Sequence, residues 1–165
     1  MLIGLMSDTH DNLTMVGRAV AKFNEENVKL VLHAGDYVSP FVIQKFKPLK
    51  ARMIGVFGNN DGDRELLKTR FKEDPNLEIR EAFAKIEVDS IKIALTHGND
   101  LELLDALINC SSFNIIAHGH AHIARVENRS DKLIVNPGEV CGYLTGRSTI
   151  ALLDTEELLA TILTL

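Results

Sequence analysis

The sequence predicts an α/β fold: a four-layer α-β-β-α sandwich in which two mixed sheets pack face to face with helices outside. Two observations carry that expectation. Up to about residue 110, short apolar runs alternate with polar clusters and helical patterns, the signature of βαβ units and a mainly parallel sheet. Elsewhere, apolar runs are separated by only two residues, which marks antiparallel hairpins.

LIGLM (2–6) is the first strand, followed by SDTHDN and a helix over 13–26 with Met15, Ala19, Val20 and Phe23 on one side. KLVLHAG (29–35) is the second strand and runs into Asp36. Ser39-Pro40 then supplies an N-cap and a first helical position for FVIQKFK. RMIGVFG (52–58) precedes NND and a helix over 62–73, and IKIALT (91–96) precedes HGND and LELLDALINC. Right-handed crossovers place these polar clusters on one edge, beyond the carboxyl ends of the strands, where open α/β sheets bind ligands. The hairpins join AKIEV to IKIALT across Asp89-Ser90 and ARVENR to KLIVNPG across Ser130-Asp131, and STIALLDTEELLATILTL reads as two strands around Thr155-Glu156.

With 165 residues, 45% of them hydrophobic and 25% charged, the chain is expected to form one domain over 1–165 with a core of its own. Cys110 and Cys141 lie far apart and outside any CxxC pattern, which suits a reducing compartment. MLIGLM is too short for a signal peptide, and no apolar run approaches the roughly 20 residues of a membrane helix. A soluble, cytoplasmic protein without membrane contact is expected. The net charge of −5 argues against a general nucleic-acid surface, and Lys68, Arg70 and Lys72 read as a solvated face beside Glu65 and Glu73. A phosphate-bearing substrate would need a holder other than surface lysines, and bound metal would serve. A homo-oligomer stays open.

The polar clusters hold Asp8 with His10, then Asp36, then Asn59, Asn60 and Asp61, then His97, then His118, His120 and His122. Asp and Asn also cap helices, so Asp36 or Asn59 alone is as readily a cap as a ligand; Asp11, Asn12, Asp61, Asn99 and Asp100 read as caps. Histidine is not a preferred cap, yet three of the six histidines crowd into IIAHGHAHIAR (115–125). On an extended chain, positions i and i+2 face the same side, so Asp8 converges with His10 and His120 with His122, Gly119 leaving room between. Two Asp, one Asn and four His are too many donors for one tetrahedral ion and suit two ions bridged by Asp36. Oxygen and nitrogen donors without thiolate favour Mn²⁺ first, with Ni²⁺, Fe²⁺, Co²⁺ or Zn²⁺ behind it.

These blocks, Asp8-Thr9-His10, Gly35-Asp36, Gly58-Asn59-Asn60-Asp61, His97-Gly98 and Gly119-His120-Ala121-His122, resemble in order the pattern of the calcineurin-like metallophosphoesterases. The likeness runs from residue 8 to 122, with Asn136-Pro137-Gly138 also family-like. The compact length and the Asn59-Asn60-Asp61 block resemble the small phosphodiesterase branch, which is related to the metallophosphoesterase-like subunit of the retromer coat. The resemblance implies one ion on Asp8, His10, Asp36 and His122, and another on Asp36, Asn59, His97 and His120. It also implies a bridging water that attacks a small phosphodiester.

Asn60 stands where many relatives carry a histidine; an amide can hold a phosphate oxygen but cannot act as a general acid. Glu139 stands where relatives often have serine. His33 and His118 read as supporting histidines, and His118, beside the ligand pair, is the candidate substitute proton donor. The rivals are a scaffold on the same fold, a phosphomonoesterase and a nuclease. The complete set of seven ligands favours an enzyme over the scaffold, Asn60 argues against the monoesterase and the acidic surface against a processive nuclease; no Walker A, G-x-S-x-G or H-E-x-x-H motif offers other chemistry.

Overall fold

The computed structural model describes every residue except Ser130. One sheet has six strands in the order β11-β10-β1-β2-β3-β4: Leu159–Thr164, Thr149–Asp154, Leu2–Met6, Leu30–His33, Arg52–Val56 and Leu77–Arg80. The other has five in the order β5-β6-β7-β9-β8: Phe83–Val88, Ile91–Thr96, Ile115–Ala117, Lys132–Asn136 and Arg125–Arg129. Both sheets are mixed. Strands β1 to β4 run parallel, as do β6, β7 and β9, while β10, β11, β5 and β8 pair antiparallel.

Apolar residues stack the layers. Ile3, Leu5, Leu32 and Ile54 of the first sheet meet Ile93, Leu95, Ile115 and Val135 of the second in a core between the sheets. On the outer face of the first sheet, Val31 and Met53 pack under three helices: α1 (Leu13–Glu25), α2 (Ile43–Phe46) and α3 (Arg64–Phe71). Helix α4 (Leu101–Asn109) covers Ala94, Ile116 and Ile134 of the second sheet. The four layers expected from the sequence are therefore present.

Several local expectations need correction. In α1 the buried side is Val16, Ala19, Val20 and Phe23, with Met15 only half-buried. Strand β4, LEIR, was not anticipated, because four residues of mixed polarity give no periodic signal. Asn12 and Asp100 do cap α1 and α4, but Asp63, not Asp61, caps α3. Asp11 accepts from Ser39 instead of capping, and Asn99 lies before the capping residue of α4. The hairpins at Asp89-Ser90 and around Thr155-Glu156 are present. Strands β8 and β9 pair antiparallel, while Ser130 of their turn lies outside the described residues.

Candidate metal centre

The polar clusters follow the ends of β1, β2, β3, β6 and β7, and β9 ends beside them. Asp8, Asp36 and His97 are buried and form the floor, whereas Asn59, Asn60 and His120 are exposed at the rim. The loops after β1 and β2 are sewn together by backbone bonds: Asp8 N donates to Gly35 O, and Thr9 N and His10 N both donate to Asp36 O.

The ligand side chains converge, but not through strand alternation. Strands β1 and β7 end before the clusters, and Asp8 (φ 53°), His10 (38°), Asp36 (60°), His120 (65°) and His122 (58°) are all left-handed. Asp and His enter this region more readily than most residues, but each still stores strain, on the order of 1 kcal/mol or more. Left-handed turns, and not the i, i+2 spacing of an extended chain, aim these side chains. Two glycines make the close approach possible. A Cβ on Gly119 would sit 1.8 Å from Ser7 Oγ and 2.7 Å from Asp8 Oδ2, and one on Gly58 would sit 2.1 Å from Asp36 Oδ1.

His10 Nε2 lies 3.8 Å from Asp8 Oδ1 and 3.4 Å from Asp36 Oδ2. His122 Nε2 lies 3.3 Å from Asp8 Oδ1, and the His10 and His122 rings stack at 5.2 Å. Across the floor, His97 Nε2 is 3.4 Å from Asp36 Oδ2 and 3.0 Å from Asn59 Oδ1. The ring of His120 stands edge-on to His97 at 5.1 Å.

Burial works against ionisation of Asp36, but His97 and the two Asn60 N–H donors outweigh it and hold the carboxyl well below its usual range. The nearby carboxylates raise His10, through Asp8 first, and raise His97 against its own desolvation. Burial lowers His120.

The donor set fits divalent cations. Asp8 Oδ1 and His10 Nε2 are buried and have no hydrogen-bond partner among the described residues. A buried polar atom without a partner is costly, so two of them facing each other mark a place for a cation. Ligand atoms of Asp8, His10 and His122 lie within 4.8 Å of one another, as do those of Asp8, Asp36 and His97. Asp8 and Asp36 are thus close to partners on both sides of the floor.

The other predicted residues fall as follows. Asn60 is at the rim with its amide turned inward, Nδ2 donating to Asp36 Oδ2 at 2.7 Å. His118 stands apart from the ligand atoms. Its Nδ1 lies 3.2 Å from Gly119 O, and its ring lines a separate cavity of about 270 Å³ with Leu104, Ile108 and Ile123. Burial lowers its pKa. His33 is wholly buried beneath the first sheet's loops. Its Nδ1 accepts from Gly35 N, it stacks on Tyr37 at 3.8 Å, and desolvation drives its pKa down to about 3.

Two carboxylates matter more than their sequence positions suggest. Asp61 accepts backbone N–H bonds from Asp36, Tyr37, Val38 and Gly58, clasping the β2 and β3 loops together. Glu139 Oε2 lies 2.8 Å from His122 Nδ1. The available signal for Glu139 was an acidic residue after an Asn-Pro-Gly turn in an otherwise apolar stretch. Burial alone would raise Glu139, but donors from Cys141, His122 and Thr145 bring it down to about 2.

Known proteins resemble the chain in sequence and in fold. Residues 1–158 match the calcineurin-like phosphoesterase superfamily domain. A phosphodiesterase of Methanocaldococcus jannaschii is 45% identical over 157 residues, covering 95% of each chain. The solved structure of an archaeal phosphodiesterase superposes with a TM-score of 0.95 at 43% identity, covering 100% of both chains. A Vps29 from Entamoeba histolytica shares the fold, with a TM-score of 0.69 at 16% identity over 100% of this chain and 99% of that one. The chain belongs to the calcineurin-like phosphoesterase superfamily.

Proposed function

We propose that this member of the superfamily is a metal-dependent phosphodiesterase acting on small phosphodiesters. The observation that carries the reading is the pair of buried, partnerless atoms, Asp8 Oδ1 and His10 Nε2, facing Asp36 and His122. The similarity to a protein named phosphodiesterase supports the same reading. Asp8, His10, Asp36 and His122 would hold one ion; Asp36, Asn59, His97 and His120 would hold the other. Mn²⁺ is our first choice, since the donors are carboxylate, amide and imidazole. Two such ions, when bound, neutralise charge on phosphoryl oxygens and make water acidic enough to attack at neutral pH.

The chain's own side chains do the rest. Asp36 turns its Oδ2 toward both His10 and His97, 3.4 Å from each Nε2, and its depressed pKa keeps it anionic across the working range. Asn60 is the proposed ester contact; to hold a phosphate oxygen its amide must leave Asp36 Oδ2. The leaving alcohol takes its proton from water entering at the exposed rim, since His118 lines a cavity apart from the predicted ligands and burial lowers its pKa. The net charge of −5 supports a small ester over a nucleic-acid polymer. We also propose that 1–165 acts as one domain and that the protein is cytoplasmic, a reading supported by two free cysteines, Cys110 and Cys141. Among the described residues, no helix is long and apolar enough to cross a membrane.

The test is hydrolysis of an activated phosphodiester and of the matching monoester, with Mn²⁺, Ni²⁺ or Mg²⁺ and again with chelator. Metal-dependent cleavage favouring the diester is expected. Absence of metal-dependent turnover of either ester would sink the enzyme reading in favour of a binding module. His118→Ala in the same assay assigns the proton: a loss above roughly tenfold gives it to His118, in the range of general acid catalysis.

A further inference from the structure

Glu139 is fully buried behind the His122 side of the centre. Its Oε2 lies 2.8 Å from His122 Nδ1 and accepts from Cys141 Sγ at 3.0 Å and from Leu144 N at 3.2 Å. Its Oε1 accepts from Thr145 N at 2.6 Å, from Thr145 Oγ1 at 2.8 Å and from Leu144 N at 3.0 Å. The ligand atoms of His122, Glu139 and Cys141 lie within 4.8 Å of one another, close enough for a third cation. The hydrogen bonds argue against one. A cation would have to displace the protons of His122 and Cys141 from Oε2, and Oε1 already accepts several donors. This cluster is satisfied as it stands, whereas Asp8 Oδ1 and His10 Nε2 have no hydrogen-bond partner among the described residues.

An ionised carboxylate only accepts, so the proton between Glu139 and His122 sits on Nδ1. That leaves Nε2, 3.3 Å from Asp8 Oδ1, to offer its lone pair to an ion. We propose that Glu139 is a positioning residue for the metal centre: it holds His122 in the Nδ1–H form with Nε2 facing Asp8. Through Cys141, Leu144 and Thr145 it also ties that ring to the loop after β9, whose Tyr143 and Leu144 are exposed. Carboxylates behind ligand histidines typically govern about 10–100-fold in metal affinity. The affinity part of this inference rests on the metal-centre reading; the tautomer part does not.

Two measurements test it. In ¹⁵N-histidine-labelled apoprotein at mildly alkaline pH, the His122 ring, identified by its absence in His122→Gln, should carry its proton on Nδ1. An unprotonated Nδ1 would overturn the proposal. This spectrum needs no change at Glu139, so it decides even if Glu139 variants fail to fold. Second, Mn²⁺ titration calorimetry, with folding checked by melting, compares wild type, Glu139→Gln and Cys141→Ser. Glu139→Gln should weaken one of two sites by about 10–100-fold. Cys141→Ser keeps the His122 contact and should retain both sites. A folded Glu139→Gln protein with both affinities intact would reduce Glu139 to a loop anchor. A wild type that binds no Mn²⁺ would instead defeat the metal-centre reading, and the tautomer would still decide the role of Glu139.

Discussion

The wall of the site contributed by the first sheet carries both proposed ligand carboxylates, Asp8 and Asp36, with Asn59 and a single imidazole, His10. The wall from the second sheet carries three imidazoles, His97, His120 and His122, and none of the proposed ligand carboxylates. The two are also held differently. The loops of the first wall are fastened by backbone N–H groups: Asp61 gathers four of them, and Asp36 takes the Asn60 N–H. Two rings of the second wall are fixed through their far nitrogens, His97 Nδ1 to Ala34 O and His122 Nδ1 to Glu139. The first wall therefore supplies charge, and the second supplies orientation. Changes in the first should remove cation binding outright, whereas changes behind the second should weaken it by degrees.

Asp36→Asn is the severest way to break this contrast. It removes the charge shared by His10 and His97 and should abolish hydrolysis and the binding of both ions. Its effect should exceed the roughly 10–100-fold expected of partners behind the ligands. Full activity with two ions bound would show that Asp36 is no bridge. Asp61→Asn comes next. Replacing a carboxylate oxygen with an amide NH₂ sets donor against donor and leaves buried N–H groups unmet, at about 2–3 kcal/mol of stability. Urea unfolding reads this, and a loss under about 0.5 kcal/mol would show that the clasp is dispensable.

The smallest effect is a pH dependence beneath the first wall. His33 is neutral when folded, with a pKa of about 3, and titrates near 6.5 when unfolded. The unfolded chain therefore binds the extra proton between these values. Stability from this group is complete above about pH 6.5 and falls as pH drops toward 3, by up to about 1.4 kcal/mol per pH unit. His33→Asn keeps an acceptor for Gly35 N and should shrink the stability difference between about pH 7 and pH 5 by about 2 kcal/mol. An unchanged difference would place the acid sensitivity elsewhere.

The blocks of the site were legible because each pairs a recognisable residue type with the end of an apolar strand. Asp8, Asp36 and His97 sit at the strand ends the sequence indicated, and the alternation of strand and helix brought them to one edge. Orientation was not legible. The left-handed turns at His120 and His122 depend on tertiary contacts such as His120 N with Asp8 Oδ2, 112 residues away. Asp61 was misread as a helix cap because the same residue type serves both uses, and only the fold shows which N–H groups it meets. Glu139 had only the preceding Asn-Pro-Gly turn to mark it; its importance lies in six hydrogen bonds to residues 122, 141, 144 and 145.

Anomalous diffraction from Mn²⁺-loaded crystals tests the two-walled centre most directly. Two peaks are expected on either side of the Asp36 carboxylate, one against Asp8, His10 and His122, the other against Asn59, His97 and His120. A single peak, or one seated at Glu139 and Cys141, would contradict it.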